Sequence, residues 1–252
     1  MRTVVIIPAR LGSSRLPGKV LLDICGKPMI QHVYEAARKA EKIDDVYIAT
    51  DAEEVKDVCS TFTDKIIMTS TVHESGTDRL AEAIEKIDCD YVINVQGDEP
   101  LIDPKLIDAL AVQMQASDEE MVSAMHKILS TSELKSPNAV KVTVDNRSYA
   151  LYFSRSIIPH HRDDWEALLN HHETIPVPLR FYKHIGIYGY STSFLKMYAN
   201  LEQTYLEKLE KLEQLRVLEN GFSIKMVETE YEPVGVDTLE DLERVKELMQ
   251  CR

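Results

Sequence analysis

The chain of 252 residues carries 42 acidic against 29 cationic side chains, a net charge of −13, which argues against a broad nucleic-acid surface because duplex binding needs many clustered cations. Its four cysteines, Cys25, Cys59, Cys89 and Cys251, are scattered without a C-x-x-C pair and read as reduced thiols rather than a disulfide framework or zinc site. No apolar run approaches the roughly 18 residues that span a bilayer, and the first strand begins too early for a signal or transit peptide, so one soluble, cytoplasmic α/β domain with no membrane partner is expected.

Apolar, β-branched-rich runs at 3–7, 45–49, 65–68 and 90–95 predict strands, with helical patterns near 28–40, 52–60 and 77–87 between them. This βαβα alternation predicts a largely parallel sheet with helices on both faces and ligands at the carboxyl ends of its strands. The loops at those ends are 8–19, 50–51 and 96–100.

The first loop, "PARLGSSRLPGK", lies in a segment, residues 1–40, with seven Lys/Arg against two acids, a local excess suited to focusing an anion. It is no Walker A loop: five residues separate Gly12 from Gly18, and Val20 stands where the metal-binding hydroxyl belongs. Nor is it a dinucleotide fingerprint, since no second glycine follows Gly12 before Gly18. Arg10, Arg15 and Lys19 beside the backbone N–H groups of Gly12, Ser13 and Ser14 suit a triphosphate; an ordinary Gly/Pro surface loop is the alternative.

In "VINVQGDEPLI", residues 92–102, a strand ends at Gly97-Asp98, placing a carboxylate on the same sheet edge as the first loop. Asp98 suits Mg²⁺, which favours carboxylates together with phosphate oxygens, while a turn-forming aspartate is the plain alternative. Further strand-like runs at 121–128, 139–144, 149–153 and 184–190 suggest a hairpin-rich edge or subdomain. Between them the polar stretch 159–178 reads as a surface loop with one short helical segment. Its pairs His160-His161 and His171-His172 match no standard zinc spacing. In "HIGIYGY" the two-residue period places His184, Gly186, Tyr188 and Tyr190 on one face, which is either a pocket wall or a satisfied core face.

Residues 205–219 place leucines at every third position and predict one helix stopped by Gly221. A last helix is expected over roughly 239–250, with Thr238 and Asp241 in a capping pattern; Asp237, just before it, is explained by spacing alone as a favourable charge at a helix start.

Seven stretches, "IPARLGSSRLPGK", "SGTDR", "NVQGDEPLI", "YALYFSRSIIP", "KHIGIYGY", "LEKLEQLRVLENG" and "GVDT", resemble in order and spacing the 3-deoxy-manno-octulosonate cytidylyltransferase (CMP-Kdo synthetase) family, over essentially the whole chain. The resemblance implies a Rossmann-like nucleotidyltransferase fold, with a nucleotide-binding part over about 1–120 and a sugar-binding and dimerisation part over about 121–230. It implies a homodimer that transfers CMP from CTP to the anomeric hydroxyl of Kdo for lipopolysaccharide synthesis, releasing pyrophosphate. Arg10, Ser13, Arg15 and Lys19 would hold the triphosphate, and Asp98 and Asp237 a Mg²⁺ ion. Pro8, Ala9, Ser75, Arg79, Gln96 and Gly97 would lie against the nucleotide. Arg155, His184, Tyr188, Glu213 and Gln214 would bind the sugar. The histidine-rich stretch 160–178 departs from the family pattern, so a related sugar acid, an 8-amino-Kdo analogue or a sialic acid, is the alternative substrate. A non-catalytic nucleotide-binding protein would lack the acids, and both are present.

Overall fold

The computed structural model describes residues 1–12, 16–73, 75–117 and 119–250. The first half runs β1 (Thr3–Ala9), β2 (Asp23–Ile24), β3 (Lys27–Pro28), α1 (Met29–Ala37), β4 (Asp45–Thr50), α2 (Glu53–Cys59), β5 (Ile66–Met68), α3 (Gly76–Ala83), β6 (Tyr91–Asn94) and α4 (Pro104–Ser117). The second half runs β7 (Met121–Lys127), α5 (Thr131–Lys135), β8 (Lys141–Val144), β9 (Ala150–Ser154), α6 (Trp165–His171), β10 (Tyr182–Ser191), α7 (Thr192–Tyr198), α8 (Tyr205–Glu210), α9 (Leu215–Glu219), β11 (Lys225–Glu228) and α10 (Leu239–Gln250).

β1 is a continuous β-branched run because it lies at the sheet's centre, buried on both faces. Successive side chains go to opposite sides: Val5 and Ile7 pack with α1, α2 and α4, whereas Val4 and Ile6 pack with α3, α7 and α9. The sheet order is β11-β7-β10-β6-β1-β4-β5. β1 pairs in parallel with β4 and β6, and β5 continues the parallel set, as the alternation predicts. The later strands do not form a separate edge. β10 enters antiparallel between β6 and β7, β11 lies parallel to β7, and only β8 and β9 form a hairpin off this path, joined to β10 through β8.

One predicted element changes on folding and others are added. The single helix over 205–219 is two, α8 and α9, broken where Lys211 takes a left-handed conformation at φ 55°. Leucines every third residue wind around a 3.6-residue helix instead of staying on one face; the break lets Leu212 and Leu215 be buried while Leu209 remains exposed. A buried ion pair clamps the two halves, the Arg216 guanidinium donating to Glu207 through Nε (2.9 Å) and Nη2 (2.6 Å). The stretch 159–178 contains α6, where His160 packs on the Trp165 ring with centroids 4.4 Å apart. β2, β3, α4, α5, α7 and β11 were not predicted. In α4 the buried Leu106, Ile107, Leu110, Ala111 and Met114 follow a helical period that would have shown it.

Two close approaches assemble the functional end of the sheet. Gly97, after β6, sits so near the end of β1 that a Cβ there would come 3.0 Å from the Pro8 carbonyl oxygen. The C-terminal segment reaches the same place because Val236 N–H donates to the Asp98 carbonyl (2.9 Å), while Val236, Leu242 and Val245 pack with Ile24 and Met29 of the β2–α1 region.

Candidate functional site

The carboxyl ends of β1 and β6 lie side by side in register from Thr3–Tyr91 to Ile6–Asn94. Lys19, in the turn after the first loop, reaches across them. Its ammonium donates to the Asp98 carboxylate, to Asp237 Oδ1 (3.0 Å) and to the Val236 carbonyl (3.3 Å). Burial alone would lower the Lys19 pKa, but Asp98 and Asp237 hold it above the ordinary lysine value. The loop itself is closed by Gly18, at φ 67°, whose N–H donates to the Leu11 carbonyl (3.0 Å).

This arrangement bears on the two roles left open for Asp237. The start of α10 is already capped: Asp241 N–H donates to Thr238 Oγ1 (3.2 Å), and Thr238 N–H donates back to Asp241 Oδ2 (2.9 Å). The Asp237 carboxylate therefore faces Lys19 and Asp98. Two hard oxygen donors converge on one cation position, filled here by the ammonium. Among the described residues no group of three or more His, Cys, Asp and Glu side chains stands ready for a metal. A divalent ion at Asp98 and Asp237 would complete its shell from water and phosphate oxygens, as Mg²⁺ characteristically does.

Beside these acids lies a cavity of about 330 Å³, whose lining includes Arg10, Ser75, Asn94, Gln96, Glu213 and Gln214. Ser75 caps α3, its Oγ accepting from Asp78 N–H (3.1 Å). Asn94 was not singled out in the sequence, although a polar residue ending the buried run "YVIN" was a legible signal. It is 2 % exposed, and its Oδ1, a strong acceptor, has no hydrogen-bond partner among the described residues. Burial raises the Glu213 pKa, so this carboxyl holds a proton more readily than an exposed one.

A second cavity, of about 500 Å³, meets the first at Tyr188, Glu213 and Gln214, with His184 in its lining. β10 has an irregularity between Ile185 and Tyr188, where two residues are added relative to β7, and this bulge turns His184 and Tyr188 toward one another, rings 5.4 Å apart. The Ser123 hydroxyl lies 2.8 Å from the Ile187 carbonyl and 2.8 Å from His184 Nε2, and Gln214 Nε2 lies 3.4 Å from Nδ1. If Ser123 donates to the carbonyl, His184 carries its proton on Nε2 and accepts at Nδ1. Burial pushes its pKa down to about 3, so it is neutral at physiological pH and poorly suited to act as a base. The face read from "HIGIYGY" is thus both a pocket wall and internally satisfied.

The other expected site residues fall into three groups. Gly97 serves the close approach of β1 and β6, and Pro8 and Ala9 end β1 beside it. Arg79 and Arg155 are near the site but engaged elsewhere: Arg79 donates to Thr69 Oγ1 (2.5 Å) and Asp51 Oδ2 (2.9 Å), bracing the ends of β4 and β5, and Arg155 bonds carbonyls behind the larger cavity. Ser13 and Arg15 lie outside the described residues.

A family model described as cytidylyltransferase matches residues 4–228. The chain is 49% identical over 252 residues to the 3-deoxy-manno-octulosonate cytidylyltransferase of Geotalea uraniireducens, covering 99% of this chain and 100% of that protein. It is also 49% identical over 250 residues to the enzyme of that name from Haemophilus influenzae, covering 98% of each. The solved structure of CMP:2-keto-3-deoxy-manno-octonic acid synthetase complexed with CTP superposes with a TM-score of 0.90 at 43% identity, covering 99% of both chains. A putative glucose-1-phosphate thymidylyltransferase from Bacillus anthracis, 18% identical with a TM-score of 0.66 over 98% of this chain and 94% of that one, shares the fold.

The buried neutral histidine has a consequence for stability. In the unfolded chain His184 binds a proton below about pH 6.5, whereas in the native protein it stays neutral to about pH 3. The unfolded state therefore gains protons as pH falls through that window, and stability should fall by about 1 kcal/mol per pH unit from this group. Urea unfolding between pH 6.5 and 4.5 should show a steeper loss for the wild type than for His184→Gln; equal slopes would show that His184 is protonated in the fold.

Proposed function

The chain belongs to the 3-deoxy-manno-octulosonate cytidylyltransferase family, and on that premise we propose that it transfers CMP from CTP to the anomeric hydroxyl of Kdo. The observation that carries the reading is the convergence of Asp98 and Asp237 on one cation beside the cavity holding Arg10 and Gln96.

In this reading the anomeric oxygen attacks the α-phosphorus, the bond from that phosphorus to the bridging oxygen breaks, and pyrophosphate departs. Arg10 and Lys19 supply positive charge where the leaving group gathers negative charge, Lys19 turning toward the phosphates when a metal ion takes its place between Asp98 and Asp237. Mg²⁺ held by Asp98 and Asp237 would reduce repulsion between the sugar carboxylate and the triphosphate and favour ionisation of the attacking hydroxyl. His184 and Gln214 orient the sugar as a fixed hydrogen-bonding pair, consistent with a neutral imidazole whose two nitrogens both have partners.

Pyrophosphate release measured with the four common ribonucleoside triphosphates and a panel of sugar acids tests the assignment. CTP with Kdo should give the highest rate; comparable turnover with GTP would remove the cytidine assignment, and faster turnover of an 8-amino analogue or a sialic acid would transfer the reading to that sugar.

Asp237→Asn tests the metal site. Because Thr238 and Asp241 already cap α10, the substitution should change stability by no more than about 1 kcal/mol. Turnover at saturating Mg²⁺ should fall by about 10²-fold or more, on the order of 3 kcal/mol of transition-state stabilisation, with much of the CTP affinity retained. Near wild-type turnover would refute the ligand role.

The same reading includes a homodimer acting in the cytoplasm. Among the described residues β9 forms a ladder with β8, its first residue Ala150 also donating to the Ile224 carbonyl (2.9 Å), and Leu151 on β9 and Leu209 on α8 are exposed. Sedimentation velocity at micromolar concentration should give a dimer, and a stable monomer would count against this assembly.

A further inference from the structure

Lys141, the first residue of β8, is 0% exposed, yet its ammonium is fully hydrogen-bonded. It donates to three main-chain carbonyls, those of Ser136 (2.8 Å), Ala139 (2.6 Å) and Arg155 (2.7 Å). Three acceptors on one nitrogen need three protons, and a neutral amine has only two, so the group is charged in place although burial pulls its pKa below the ordinary lysine value.

An opposing charge is arranged close by. The Glu210 carboxylate accepts from Ser154 Oγ (2.6 Å) and from Arg155 N–H (3.0 Å). The backbone of Arg155 is thus held between an anion at its N–H and a cation at its carbonyl. Its guanidinium ties the same segments together, donating to the carbonyls of Glu210 (2.8 Å) and Pro137 (3.2 Å).

The segments joined in this way, 136–140 and 210–214, contribute two walls of the 500 Å³ cavity, in which His184 and Tyr188 also take part. A methionine would fill much the same space without the cost of burying charge. What it would lack is the ability to hold carbonyl oxygens from two separate loops at one point.

We propose that Lys141 is a positioning residue of the sugar-acid subsite, fixing the distance between these walls so that Glu213 and Gln214 meet the substrate at the required separation, without touching it. This rests on reading the cleft as the sugar-acid site.

The test compares Lys141→Met and Lys141→Arg with wild type in KM for Kdo, calorimetric CTP affinity, thermal midpoint and amide hydrogen exchange. Lys141→Met should raise KM for Kdo at least tenfold while CTP affinity stays within twofold, and exchange should quicken in 136–141, 154–157 and 210–214 but not in 4–12 or 92–98. Lys141→Arg, which keeps the charge and donors, should recover part of the KM. An unchanged KM, or equal losses for CTP and Kdo, would overturn the proposal, since a merely structural lysine would lower the thermal midpoint without singling out one substrate. If Lys141→Met fails to fold, Glu210→Gln, which removes the opposing charge at nearly constant shape, is judged by the same criteria. A wild type inactive on Kdo would strike the substrate reading alone; the exchange pattern would then decide whether Lys141 holds these walls, with unaltered exchange overturning the proposal.

Discussion

One ammonium between two carboxylates ties the functional end of this protein together. Lys19 joins residues 79 and 218 positions away, so the loop after β1, the turn after β6 and the segment before α10 share a single electrostatic centre. Lys19 and Asp98 have side chains 15% and 27% exposed, and Asp237 is 44% exposed. Such partly solvated pairs add little to global stability, because water screens them and desolvation offsets much of the attraction. Their effect is geometric: they set where the acids point. The same convergence suits a triphosphate-bound divalent ion, so the arrangement that defines this end of the fold also defines the chemistry proposed for it.

The sheet explains why the two cavities meet there. Parallel β1 and β6 bring their carboxyl ends to one edge, the position where α/β sheets characteristically bind ligands. β10 then enters antiparallel beside β6, so Tyr188 lies opposite Asn94. A side chain of β10 is in this way placed next to the end of β6, where the two cavities meet. The bulge in β10 and the break at Lys211 shape the other boundary. Had residues 205–219 formed one straight helix, the turn containing Lys211 to Gln214 would not exist to join the two cavities.

Buried polar groups divide into two kinds across the site. His184, Lys141 and Arg79 have partners within the protein and hold elements in place. Asn94 Oδ1 and Glu213 Oε1 are buried acceptors with no partner among the described residues. An unsatisfied buried acceptor is costly. Both line the cavity that also holds Arg10 and Gln96.

The sequence by itself determined the parallel core, the loops that carry Arg10, Lys19 and Asp98, and the alternating face of His184 and Tyr188, because these depend on local periodicity and on the rule that parallel strands present their ends together. Spacing was also enough to identify the Thr238–Asp241 cap. It did not determine where the Asp237 carboxylate goes, since a carboxylate before a helix suits the dipole whether or not it meets anything else; the tertiary structure brings it to Lys19. The same holds for Lys141, an unremarkable residue at the start of a strand until three carbonyls surround it. Arg79 and Arg155 illustrate the reverse case, motif arginines whose partners are a carboxylate, a hydroxyl and main-chain carbonyls of the protein itself. β11 and the splitting of 205–219 likewise followed from tertiary contacts, with β7 and with the Glu207–Arg216 pair. Periodicity records which face of an element is apolar, but the partner of a charged group is set by where the chain returns, and that is decided only when the whole sheet closes.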